Sequence, residues 1–258
     1  MELRRKIVLI VEYDGTRYQG FQWQVNAPTI QGEIESALTN IMKDPVRVVG
    51  ASRTDSGAHA KGQVVSFRTT VPLPTESWRK ALNFYLPQDI AVREAYETED
   101  SFDVRRSAVS REYAYSIVNR GSRSPLRSRF AHLVYEPLHV EAMNQACQVL
   151  LGEHDFAPFC TVATGTTVRR IFDARVHQES DLVVFEVIGN SFLPHQIRNI
   201  VGGLIRVGLG KLRVEVFWEL ARSRQAGVVG PAAPACGLCL MKVNYPDFPP
   251  QGRQNEDV

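Results

Sequence analysis

"VRVVGASRTDSGAHAKGQVVSFRT", residues 46–69, decides how the chain is built. Its two ends, "VRVVGAS" (46–52) and "GQVVSFRT" (62–69), are apolar and β-branched enough to read as strands. Between them stand Arg53, Thr54, Asp55, Ser56 and Gly57, a polar turn. Upstream, "KIVLIVEYDG" (6–15) reads as a strand stopped by Asp14-Gly15. "PTIQGEIESALTNIM" (28–42) then puts Ile30, Ile34, Leu38 and Ile41 on one helical face, with Thr29 as N-cap. Downstream come a helix, "TESWRKALNFYL" (75–86), and an edge strand, "DIAVREAYET" (89–98). The order is β-α-β-β-α-β, the ferredoxin-like unit.

The second half repeats that order. Strand "EYAYSIV" (112–118) leads into helix "VEAMNQACQVLLG" (140–152), closed by Gly152. The pair "IFDARVHQ" (171–178) and "LVVFEVIG" (182–189), helix "QIRNIVGGLIRVGLG" (196–210) and strand "GLCLMKVNY" (237–245) complete it. We therefore expect an α+β protein of two ferredoxin-like units, residues 1–104 and 105–245, side by side around a cleft. The tail "PDFPPQGRQNEDV" (246–258) is Pro-rich and polar and reads as disordered.

Composition sets bounds on function. A chain of 258 residues, 44% hydrophobic and 22% charged, is an ordinary globular protein, and a net charge of +2 says nothing about partners. The placement of charge says more. Residues 105–129 hold seven Arg, no Lys and a single acid, Glu112. Arg105, Arg106 and Arg111 are candidate contacts to a nucleic-acid backbone, because the planar guanidinium suits phosphate; a solvated basic loop fits the same stretch. No stretch is apolar enough to span a membrane, and the first apolar run, ending at Glu12, is too short for a signal peptide. The expected location is cytoplasmic. Cys236 and Cys239 form "CGLC", but Cys147 and Cys160 supply no second pair at metal-ligand spacing, so no metal is expected. His59 reads as a turn residue without chemistry.

Eight stretches in order carry a resemblance: "YDGTRYQGFQWQ", "PTIQGEIESAL", "SRTDSGAHAKGQVVSF", "LNFYLPQDIAV", "SREYAYSI", "LLGEHDFAPFC", "GNSFLPHQIRNIVGGLIRVGLGK" and "GLCLMKVNY". Together they run from residue 13 to residue 245. The chain resembles the tRNA pseudouridine synthase A family, which modifies uridines at positions 38, 39 and 40 in the tRNA anticodon arm. The resemblance implies two α/β units joined in one long antiparallel sheet with helices on one face, a homodimer, tRNA as partner, and neither metal nor cofactor. It further implies that Asp55 is the nucleophile, that Tyr113 packs on the target base, and that Arg198 contacts the carboxylate or the substrate. Ser52 and Ser56 stand where the family has Gly and Ala, and Gln196 where it has an apolar residue. Ser52 would be strained if its φ were positive, and Gln196 would tune the pocket rim.

The chemistry agrees with these residue types. Turning uridine into pseudouridine breaks an N-glycosidic bond, rotates the uracil and rejoins it through carbon. A carboxylate can form a covalent adduct or stabilise a cationic sugar meanwhile; attack on the sugar, attack on the ring and proton abstraction all remain open for Asp55. Arg53, two residues away, would hold Asp55 ionised. A base must leave its stack to react, at a cost of a few kcal/mol; an aromatic platform offsets about 1–3 kcal/mol of that. Tyr113 could equally be a buried strand aromatic beside Tyr115 and Ile117. Two other classes compete: a non-catalytic RNA-binding protein of tandem ferredoxin-like domains, which would need an RNP-type aromatic run absent here, and a small-molecule hydrolase, which would leave the arginines unexplained.

Overall fold

Ile7 to Val11 are all apolar and mostly β-branched, and they form the centre of β1 (Arg5–Tyr13), whose residues Ile7, Val8, Leu9 and Val11 are buried. Around β1 the computed structural model, which describes residues 4–160, 165–223 and 225–249, builds a mixed α+β fold. A ten-stranded, mostly antiparallel sheet runs in the order β4 (Ile90–Thr98), β1, β3 (His59–Thr69), β10 (Leu238–Asn244), β5 (Ser110–Asn119), β9 (Leu182–Gly189), β8 (Val168–Glu179), β7 (Gly152–Asp155). Two short strands hang off this path: β2 (Val49–Gly50) on β3 and β6 (His132–Val134) on β5. The last strand in sequence, β10, thus lies mid-sheet, parallel to β3 through Cys239↔His59 and Leu240↔Ala60 and antiparallel to β5.

The helices follow the apolar spacing. In α1 (Ile30–Met42), Thr29 caps the start by accepting from the Gly32 N–H, and Ile30, Ile34 and Leu38 are buried. Trp78 and Leu82 bury one face of α2 (Thr75–Tyr85). Almost the whole length of α4 (Gln196–Gly208) is buried, and Gly202 permits this: an added Cβ would stand 2.0 Å from the Pro231 carbonyl oxygen. A continuous apolar core joins residues from both parts of the chain, from Ile7 and Trp78 to Tyr115, Phe185 and Phe217.

Several boundaries differ from the sequence reading, each for a physical reason. The expected strand at 46–52 shrinks to β2, because beyond it the chain is paired by a side chain: Gln63 takes both the N–H and the carbonyl of Ser52. The helix expected over 140–152 is α3 (Val140–Cys147), then a 3-10 turn over Gln148–Leu150 that tucks Leu150 into the core. Gly152, at φ +99°, opens β7 instead of closing a helix. The helix α5 (Val214–Arg222) follows Arg213 with no side-chain cap, so nothing marks its first residue, although Val214, Phe217, Leu220 and Ala221 lay an apolar stripe on the core. Within the expected tail, Phe248 packs on Tyr96, Phe102 and Tyr245 with ring centroids 5.0–5.5 Å apart, so order persists past Tyr245; residues 250–258 lie outside the described residues. Among the described residues no helix is long and apolar enough to cross a membrane.

Candidate active site

The turn that carries Asp55 is held from below by the segment after β1. Tyr13 Oη and Thr54 Oγ1 are 2.7 Å apart. The Phe21 N–H donates to the Thr54 carbonyl, and the Gly57 N–H to the Tyr18 carbonyl. Gly20 sits at φ +87°, where an added Cβ would lie 2.8 Å from the Thr54 carbonyl oxygen. "YQGF" is therefore a backing plate for the turn, and the Ala58 N–H closes the turn on the Asp55 carbonyl.

Asp55 faces α4. Arg198 Nη1 donates to Asp55 Oδ2 at 3.1 Å, and both side chains are about one-fifth exposed (19% and 20%). This burial strengthens the pair relative to one in water while leaving the carboxylate reachable. Arg198 Nε donates to the Ala233 carbonyl at 2.7 Å, and the Ala233 N–H donates back to the Arg198 carbonyl. The strap around Ala233 is itself anchored: Tyr115 Oη donates to the Pro234 carbonyl at 2.6 Å, and His59 Nε2 lies 3.2 Å from the Cys236 carbonyl. His59 Nδ1 accepts from the Gly15 N–H, so Nε2 carries the ring proton toward Cys236. His59, expected as a turn residue, opens β3 and pins the strap to the segment after β1. The guanidinium thus reaches Asp55 with its direction set by two carbonyl-lined contacts.

Among the described residues no ion pair joins Arg53 to Asp55; Arg53 is exposed. The cation beside Asp55 is Arg198, because the residues around Asp55 form a turn and not a strand, and Arg53 and Asp55 need not share a side. A second basic group was not foreseen. His195, in the left-handed region at φ 59° ahead of α4, has Nε2 3.9 Å from Asp55 Oδ1. Its signal in the sequence is only its place three residues before Arg198.

Tyr113 lies on β5, its ring edge against Phe192 at 5.3 Å between centroids, its phenol oxygen 2.8 Å from Ser52 Oγ. Burial pushes the phenol up to about 12, against the lowering effect of the Ser52 hydrogen bond. Ser52 is not at positive φ, so the expected strain is absent. Gln196 is not on a rim: it is fully buried, and its Oε1 accepts from the Leu193 N–H at 2.8 Å, tying down the start of α4.

The Arg-rich stretch divides. Arg111 is not available to phosphate. It is buried, and its guanidinium donates to the carbonyls of Ala108, Asn190, Ala51 and Arg105. Burial lowers its affinity for the proton, and its role is to gather three turns. Arg120 and Arg127 both bind Asp181 at 3.2 and 2.6 Å. Arg105 and Arg106 have exposed side chains, while their backbone N–H groups are held by Asp103 Oδ1. The cysteines do not gather: burial raises the Cys239 thiol to about 11 and the Cys147 thiol to about 12. Among the described residues no group of three or more His, Cys, Asp or Glu could hold a metal ion.

Comparison with known proteins adds a family. Residues 9–105 and 146–246 match the family described as tRNA pseudouridine synthase. A protein of Exiguobacterium sp. named tRNA pseudouridine synthase A is 42% identical over 243 residues, covering 93% of this chain and 98% of its own length. One of the same name from Myxococcus xanthus is 42% identical over 248 residues, covering 95% of this chain and 94% of its own. A third, from Thermoanaerobacter sp. (strain X514), is 38% identical and is covered over its whole length.

Proposed function

From the premise that this chain belongs to the tRNA pseudouridine synthase family, we propose that it isomerises uridine at positions 38, 39 and 40 of the tRNA anticodon arm with Asp55 as nucleophile. Membership makes it an isomerase acting on tRNA uridine, and the non-catalytic RNA-binding alternative falls with that. The observation that carries the assignment to Asp55 is its contact with Arg198 at 3.1 Å. A carboxylate aimed by a guanidinium, yet one-fifth exposed, is what attack on a flipped nucleoside requires.

In this reading Tyr113 packs on the uracil, and Arg198 holds Asp55 pointed at the reacting carbon. Arg53, exposed beside the turn, contacts the substrate, and Arg105 and Arg106 touch tRNA phosphates. We read residues 1–104 and 105–245 as two ferredoxin-like units with helices on one face of the shared sheet. The strand orders β4-β1-β3-β2 and β10-β5-β9-β8 support this, since each places the first strand of its half between the fourth and the third. The same reading makes the protein a cytoplasmic homodimer that needs no cofactor. The test is to incubate the purified protein alone with unmodified tRNA and map pseudouridine at single-nucleotide resolution. Modification confined to positions 38–40 is expected; modification elsewhere, or none, defeats the reading.

A further inference from the structure

Ser52 is fixed from two directions. Gln63 Oε1 accepts from its N–H at 3.2 Å, and Gln63 Nε2 donates to its carbonyl at 2.7 Å. Gln63 lies on β3 and is fully buried; its Nε2 also stands 3.5 Å from Tyr13 Oη, the hydroxyl that pairs with Thr54. With its backbone held in this way, Ser52 sends its own hydroxyl to the Tyr113 phenol at 2.8 Å. Strands β3 and β5 are not neighbours, since β10 separates them. A run of hydrogen bonds therefore passes from β3, through the backbone three residues before Asp55, to the ring on β5. Both ends of the Gln63 carboxamide are engaged, and a satisfied buried network specifies a single geometry.

The Tyr113 ring needs such a hold. The aromatic χ2 torsion is broad, and the neighbouring ring, Phe192, meets it edge-on, nearly perpendicular at 82°. The phenol oxygen lies on the axis about which χ2 turns the ring, so a bond at the tip leaves the tilt to the Phe192 contact and fixes where the far end of the ring sits. Ser52 stands three residues before Asp55, so the partner of the phenol and the carboxylate are carried by one turn.

We propose that Ser52 is a positioning residue for the isomerisation: its hydroxyl holds the phenol end of Tyr113 in place and so sets where the ring presents the base to Asp55. This rests on the reading of Tyr113 as the surface on which the base packs. The experiment is a double-mutant cycle of Ser52→Ala and Tyr113→Phe, read by single-turnover pseudouridine formation in tRNA. Ser52→Ala should slow turnover roughly three- to tenfold, the effect of one neutral hydrogen bond, leave tRNA affinity unchanged, and have almost no effect in the Tyr113→Phe background. Ser52→Thr, which keeps the hydroxyl, should restore most of the rate. Equal slowing in both backgrounds, or slowing that follows a lowered melting temperature, overturns the proposal. A second readout needs no turnover: the ¹³Cζ resonance of Tyr113 should shift in Ser52→Ala and return in Ser52→Thr. An unmoved resonance overturns the proposal whatever the kinetics. Additive kinetics with full wild-type activity defeat this inference alone, whereas an inactive wild type defeats the functional reading as well.

Discussion

Arg198 Nη1 and Asp55 Oδ2 meet at 3.1 Å across 143 residues of sequence. The turn after β2 supplies the carboxylate and α4 the guanidinium, and neither part can assemble the site alone.

Asp55→Asn keeps the shape and one acceptor but removes the charge and the nucleophile. Turnover should fall by at least roughly 10³-fold, while tRNA affinity, dominated by phosphate contacts, changes little. Melting temperature should hardly move, because the Asn amide oxygen can still accept from Arg198 Nη1 and the site leaves the guanidinium partly in water. Turnover, affinity and melting are to be measured on one preparation; a variant that still turns over near the wild-type rate removes Asp55 from the mechanism.

Arg198→Lys preserves the charge and loses the fork. An ammonium cannot serve the Ala233 carbonyl and Asp55 in the same geometry as the guanidinium does. We expect turnover to drop by about 10- to 100-fold, equivalent to roughly 1.4–2.7 kcal/mol of transition-state stabilisation. Single-turnover rates at saturating enzyme test this. A wild-type rate in the lysine variant would show that charge alone suffices.

The arginines should separate by experiment as they do in space. Arg105→Ala with Arg106→Ala should flatten the log–log dependence of tRNA affinity on salt by somewhat under two units, with no change in melting. Arg111→Ala should do the opposite. Four carbonyls lose their donor, and stability should fall by about 1–3 kcal/mol with no direct effect on the salt slope. Equal salt slopes for the double variant and the wild type would mean that Arg105 and Arg106 do not touch phosphate.

Stability should decline in alkali. The buried Tyr113 phenol keeps its proton until about pH 12, whereas the unfolded chain releases it near 10. Its contribution is therefore complete below pH 10 and lost between 10 and 12, at most about 3 kcal/mol. Tyr13, Tyr115 and Tyr245 are raised by burial too and steepen the fall. Urea melts between pH 9 and 12 should show a shallower decline for Tyr113→Phe. An identical slope would mean that Tyr113 is not buried as described.

Much of this fold was legible because strands and helices announce themselves by spacing. Ile7 to Val11, the Thr29 cap and the buried faces of α1 and α2 all follow from local pattern. Short or uncapped elements did not: β6 and β7 are three and four residues long, and α5 starts without a cap. At the site, Asp55 and Arg198 could be named from the resemblance, but the choice between Arg53 and Arg198 as the partner depends on the direction of a turn, which spacing does not encode. Arg111 misled for a related reason. In sequence it is one arginine among seven, and only the fold shows three turns converging on it. His195 and Gln63 act through contacts to distant segments, and nothing beside them in the chain marks them.

The place of β10 has a consequence for how the protein is made. Ribosomes deliver the chain from its N-terminus, so β3 and β5 both emerge long before the strand that lies between them. Until Leu238–Asn244 arrives, each presents an open edge, and the unfinished chain is at its most prone to stick to its neighbours. The strap that aims Arg198 also comes late, just ahead of that strand. A product cut short before Leu238 would lack the join between the two parts of its sheet.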